Sequence, residues 1–154
     1  MRAIIVEDEG LAREVLQNYL ITYCPEVQII GQAENIHQAV PLIFKEKPDL
    51  VFLDIEMPFG NGFDVLEACQ ELHFETIFIT AYSEYAVDGF KLDAVDYLLK
   101  PFEFQDLLKA ADKARKQFEY KLLEQQSELG NASQVKGDSL FVKSDCRVVR
   151  IDIN

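Results

Sequence analysis

Five short apolar runs punctuate the chain: Ala3–Val6, Val27–Ala33, Leu50–Asp54, Thr76–Thr80 and Val95–Leu99. Each is rich in Ile, Val, Leu or Phe and is bounded by turn or cap residues, which predicts strands. Ala3–Val6 and Leu50–Leu53 are apolar at every position, as expected of strands covered on both faces. Between the runs the period lengthens. Ala12, Val15, Leu16, Tyr19 and Leu20 repeat at helical spacing, and so do Ile36, Ala39, Val40, Ile43 and Phe44 behind Asn35 as N-cap. Pro41 lies inside the second pattern and should bend it or delay its start. Shorter helices are expected over Gly62–Glu71 and Ser83–Lys91, the latter capped by Ser83. A long helix begins near Glu103, with Phe104, Leu108, Ala111, Arg115, Phe118, Leu122, Gln125 and Leu129 at alternating steps of four and three. Its first part reads as the core face; beyond Phe118 the spacing would suit a coiled coil, although Arg115 and Gln125 are polar.

Five β-α units predict an α/β fold, a doubly wound parallel sheet with helices on both faces, because parallel neighbours need crossover connections. Five strands fit the flavodoxin-like order 2-1-3-4-5, in which the first and third strands are neighbours and ligands bind at their carboxyl ends. Residues 1–121 form this domain. Residues 122–139 continue the helix and then take on linker composition from 126. Residues 140–154 hold two short strands, Leu140–Lys143 and Arg147–Ile153, around a turn. A lone hairpin is marginally stable, and these strands have no core to join, so the end of the chain reads as a second domain cut short.

Composition narrows the chemistry. The 154 residues are 49% hydrophobic and 27% charged, ordinary for a globular protein. No run is long and apolar enough to span a membrane and no signal peptide opens the chain, so a cytoplasmic location is expected. Cys24, Cys69 and Cys146 are widely spaced and odd in number, which disfavours disulfides and zinc. His37 and His73 read as surface residues. A net charge of −12 argues against duplex binding by these residues and favours cations and basic partners.

Glu7-Asp8 closes the first run and Asp54 the third, so the expected strand order brings three acids into one crevice. Such carboxylates repel one another unless a cation intervenes. Mg²⁺ suits them: it is hard, prefers oxygen, and bridges carboxylate to phosphate. Acidic caps at strand-to-helix turns would explain Asp8 alone, and Asp54 less well. Thr80 ends the fourth strand and Lys100-Pro101 follows the fifth, placing a hydroxyl and an ammonium at the same edge. Singly these are common residues; their joint placement with the acids at the ends of strands one, three, four and five is much harder to get by chance.

The segments Ile4-Ile5-Val6-Glu7-Asp8-Glu9, Leu53-Asp54-Ile55-Glu56-Met57-Pro58, Gly62, Thr80-Ala81 and Tyr97-Leu98-Leu99-Lys100-Pro101-Phe102 resemble the response-regulator receiver family over residues 1–121. The resemblance implies that Asp54 accepts a phosphoryl group from a sensor histidine kinase. It further implies that Asp8 and Asp54 ligate Mg²⁺ with the Glu56 backbone carbonyl, Glu7 acting through water. Lys100 would contact phosphate, the Lys100–Pro101 peptide would be cis, and Thr80 and Tyr97 would be switch residues. The chain would then be a phosphoacceptor that catalyses its own phosphorylation and dephosphorylation rather than an enzyme in the usual sense. Many relatives have Asp at the place of Glu7, but the longer carboxylate still reaches a metal-bound water.

Residues 140–153 are similar to the opening strands of the LytTR DNA-binding domain found in LytR/AlgR-type regulators. That implies a transcription regulator whose DNA contacts lie in the missing part. Homodimerisation through the fourth helix, fifth strand and fifth helix, or through the long helix, is a further candidate. Two rivals remain open at this point. One is a stand-alone phosphorelay receiver. The other is a haloacid-dehalogenase-type phosphatase, which requires Asp where Glu56 stands. Tyr82, two residues after Thr80, is placed to obstruct hydrolytic water. Tyr82→Ala is expected to shorten the lifetime of the phosphorylated form in a decay assay, and an unchanged lifetime would remove that role.

Overall fold

A computed structural model describes residues 1–82, 84 and 93–134, with the side chains of 127–134 excepted. Five strands, β1 (Arg2–Val6), β2 (Gln28–Ala33), β3 (Leu50–Asp54), β4 (Glu75–Thr80) and β5 (Asp96–Leu99), form one sheet in the order β2-β1-β3-β4-β5. All pairings are parallel. The chain steps outward from β1 to β2 and then returns to β3 on the other side, which opens the crevice between β1 and β3.

Helices α1 (Gly10–Tyr23), α2 (Ile36–Glu46), α3 (Gly62–Ala68) and α4 (Phe104–Gln134) cover the sheet. Alternation along β1 assigns the faces. Ala3 and Ile5 join Leu16 and Leu20 of α1 and Leu107, Ala110 and Ala114 of α4 in one core. Ile4 and Val6 join Ala39 and Ile43 of α2 and Val65 of α3 in the other. β1 from Ala3 and all of β3 are buried, as their uninterrupted apolar sequence requires. Cys24 and Cys69 are buried and unbridged, and both histidines are exposed.

Several local expectations are corrected. The helix α2 starts at Ile36 despite Pro41, with the Asn35 side chain accepting the Gln38 N–H at 3.0 Å. The cap fixes the start, and Pro41 costs only its own hydrogen bond to the His37 carbonyl. α3 stops at Ala68, where the Cys69 N–H turns back to Val65 and Leu66. On α4 the fully buried stripe is Leu107, Ala110, Ala111 and Ala114; Phe104 and Leu108 only flank it. Of the expected Phe104, Leu108 and Ala111, Ala111 lies in that stripe, where small alanines let the helix approach the sheet closely.

The helix also runs to Gln134, into the stretch of linker composition. Gln, Glu and Leu are competent helix formers, and one Gly costs only about 1 kcal/mol. The chain divides into two compact units, Met1–Arg115 and Lys116–Asn154. Among the described side chains of α4, the last buried one is Ala114. The expected helix over Ser83–Lys91 and the strands of 140–153 lie outside the described residues.

Gly62 fixes the loop after β3. Its N–H donates to the Ile55 carbonyl at 2.8 Å. A Cβ here would lie 2.7 Å from the Asp54 carbonyl oxygen and 3.2 Å from Ile55 Cα, both backbone atoms that cannot yield easily. Gly62→Ala should therefore lower unfolding stability by about 2 kcal/mol in a urea titration. A variant as stable as the wild type would show that the loop is slack.

Candidate functional site

Register dictates which side chains meet. Val6 pairs with Leu53, so the next residues, Glu7 and Asp54, lie side by side at the carboxyl ends of β1 and β3. On the far side Thr80 pairs with Leu99, and the Lys100 N–H donates to the Thr80 carbonyl at 2.7 Å. The peptide from Lys100 to Pro101 is cis. Acids from two strands and a lysine following β5 thus converge at the carboxyl edge.

Carboxylate oxygens of Glu7, Asp8 and Asp54 lie within 4.8 Å of one another. Glu7 and Asp54 are 2% and 3% exposed, too buried for water to screen them. Lys100 is the cation in contact: its Nζ lies 2.6 Å from Glu7 Oε1 and 3.5 Å from Asp54 Oδ2. Asp54 Oδ1 accepts the Glu56 N–H at 3.2 Å. Burial pushes the Asp54 carboxyl up to about 8, helped by its hydrogen bond and repulsion with Glu7 and partly offset by Lys100. Burial acts to lower Lys100, but Glu7 and Asp54 outweigh it and raise the ammonium above its ordinary value.

One ammonium among three carboxylates leaves negative charge to neutralise. A cation with oxygens at about 2.1 Å spans ligands up to roughly 4.2 Å apart, so small side-chain adjustments would seat one between these acids. The group is thus able to hold a hard divalent metal.

Thr80 is 1% exposed, and its Oγ1 accepts the Tyr82 N–H at 3.2 Å. The half-buried Tyr97 packs against the core containing Phe78, and its hydroxyl donates to the Tyr82 carbonyl. Tyr97 therefore lies outside the acid cluster and is tied to Thr80 through the Tyr82 backbone. Glu56 is exposed, and its backbone N–H lies beside Asp54. Sequence reasoning missed Arg13, whose guanidinium donates to the Glu7 carbonyl at 2.7 Å and steadies the turn after β1. Its place one turn into α1, bonded through its N–H to the Glu9 carbonyl, was the available signal.

Comparison with known proteins agrees with this geometry. The model of the response regulator receiver domain matches residues 3–112. The sensory transduction protein LytT of Bacillus anthracis is 36% identical over 139 residues, covering 89% of this chain and 53% of that protein. The chain spans about half the length of the curated relatives it matches. Among solved structures, the response regulatory domain of protein mrkE from Klebsiella pneumoniae is 31% identical with a TM-score of 0.71. That alignment covers 77% of this chain and 98% of that one. The response regulator TrrA of Thermotoga maritima, solved in complex with Mg²⁺-BeF, is 34% identical with a TM-score of 0.65, covering 73% of this chain and 97% of that one. Both the matched span and the shared sheet lead to one assignment: the chain belongs to the response regulator receiver domain family.

Proposed function

We propose that the chain accepts a phosphoryl group on Asp54, supplied by a sensor histidine kinase, and that Mg²⁺ is held by Asp8, Asp54 and the Glu56 carbonyl with Glu7 acting through water. One observation carries this reading: a carboxylate only 3% exposed sits among two further acids and one lysine at a sheet edge. When bound, Mg²⁺ supplies positive charge to the acceptor and to the phosphoryl oxygens.

The residues divide the remaining work. An Asp54 carboxylate oxygen attacks phosphorus in line; a P–O bond to Asp54 forms as the P–N bond to the donor imidazole breaks, and the electron pair leaves with that nitrogen. Lys100 turns its ammonium to one equatorial oxygen. Thr80 releases the Tyr82 N–H and donates its hydroxyl to another. Since Tyr97 holds the other end of the same Tyr82 residue, that movement reaches the face around β5. The expected self-catalysed dephosphorylation would use the same charges, with water attacking in the donor's place.

The output we infer is transcription control through a DNA-binding domain of LytTR type. The pattern of residues 140–153 and the greater length of the curated relatives support it. Incubation with acetyl phosphate tests the acceptor role. The intact mass should gain one phosphoryl group with Mg²⁺ present and none in EDTA; a mass that never changes contradicts the reading.

A further inference from the structure

Lys100 makes its shortest contact with an acid that does not react. Its Nζ lies 2.6 Å from Glu7, against 3.5 Å from Asp54 and 3.9 Å from Glu9. Strand order makes this choice informative. Lys100 follows β5, two strands from β3 and three from β1, at about 4.8 Å per strand. An ammonium arriving from that side meets Asp54 first, yet its shorter contact is with Glu7 beyond. The extra methylene of Glu7, worth about 1.5 Å of reach, lets its carboxylate come out to meet the lysine. This arm is held in place: Glu7 Oε2 accepts the Glu9 N–H at 3.2 Å, and Arg13 grips the Glu7 carbonyl at 2.7 Å.

We propose that Glu7 is the resting partner of Lys100, a positioning residue that draws the ammonium off the acceptor and leaves Asp54 and Asp8 open to a divalent cation. The inference rests on the phosphoacceptor reading above and deepens it. Phosphorylation then requires the lysine to pass from Glu7 to a phosphoryl oxygen, so residue 7 governs that transfer. With Asp at position 7 the shorter carboxylate falls back, Lys100 settles on Asp54, and an incoming cation must displace it from a shared ligand.

Calorimetric titration of the unphosphorylated chain with MgCl₂ tests this without any turnover. Glu7→Asp, although it conserves charge, should weaken Mg²⁺ binding about fivefold, the scale of one partly buried ion-pair contact. Lys100→Met should tighten binding in both backgrounds and reduce the difference between Glu and Asp at position 7 to within about twofold. Binding to Glu7→Asp as tight as to the wild type, or an undiminished deficit in the double variant, overturns the proposal. Should Glu7→Asp fail to fold, NMR on the labelled wild type without metal decides the matter. A scalar coupling across the hydrogen bond from Lys100 Nζ to the Glu7 carboxyl carbon supports the proposal, and coupling to the Asp54 carboxyl carbon instead overturns it. Neither readout depends on phosphoryl transfer, so a failed acetyl phosphate reaction would sink the functional reading separately.

Discussion

Asp54→Asn should yield a protein that takes up no phosphoryl group from acetyl phosphate yet resists urea better than the wild type at pH 7 in EDTA. The carboxylate is buried beside Glu7, and its folded-state value of about 8 lies far above the ordinary 3.8. Between those values the folded form holds a proton that the unfolded chain has lost. Stability therefore falls as pH rises through that window, and above about 8 the full cost is present. Asparagine keeps the shape and removes the charge, while Lys100 stays paired with Glu7. The gain should be about 2 kcal/mol at pH 7, where the wild type must bind a proton at Asp54 in order to fold and the asparagine variant need not. It should shrink toward pH 4 and when Mg²⁺ is added. A variant less stable than the wild type at pH 7 would contradict the assignment of strain to Asp54.

Lys100→Ala should act in the opposite direction. Among the described residues, the ion pairs of Glu7 and Asp54 are both with Lys100. Removing the ammonium leaves the buried Glu7 carboxylate without its counter-charge and raises the cost of ionising Asp54 beside it. Breaking a buried pair by deleting one partner costs several kcal/mol, and the lysine side chain is 22% exposed, so a loss of about 2 kcal/mol is expected. Mg²⁺ should restore much of it, since a divalent cation satisfies the same acids. Phosphorylation by acetyl phosphate should also slow about 100-fold, because one contact to the equatorial oxygens is gone. Urea titrations with and without Mg²⁺, alongside single-turnover mass spectrometry, measure both effects. Unchanged stability in EDTA would show that the acids do not depend on Lys100.

These opposite signs depend on a fold that the sequence revealed unusually well. Each strand was a short apolar run between polar segments, and Ala3–Val6 of β1 and Leu50–Leu53 of β3 carried no polar residue to confuse their burial. The acid cluster followed once β1 and β3 were recognised as neighbours, because parallel register carries Glu7 and Asp54 to one level. What escaped notice depends on side-chain size and reach, which periodicity does not encode. The seam of α4 runs through Leu107, Ala110, Ala111 and Ala114, of which the expected stripe of Phe104, Leu108 and Ala111 caught Ala111 alone. Composition past residue 126 read as linker, yet a single glycine did not stop the helix. The preference of Lys100 for Glu7 over Asp54 comes from one methylene and from the bonds that hold residue 7 in place. Arg13 went unseen because its contact is to a backbone carbonyl.

The central claim is that one particular carboxylate becomes an acyl phosphate. Borohydride reduces an acyl phosphate to an alcohol, turning the acceptor aspartate into homoserine and leaving other carboxylates untouched. After acetyl phosphate and Mg²⁺, peptide sequencing by mass spectrometry should find homoserine at position 54 alone, and no conversion when EDTA is present. Homoserine at another aspartate, or none anywhere in a sample whose mass had risen, would contradict the account.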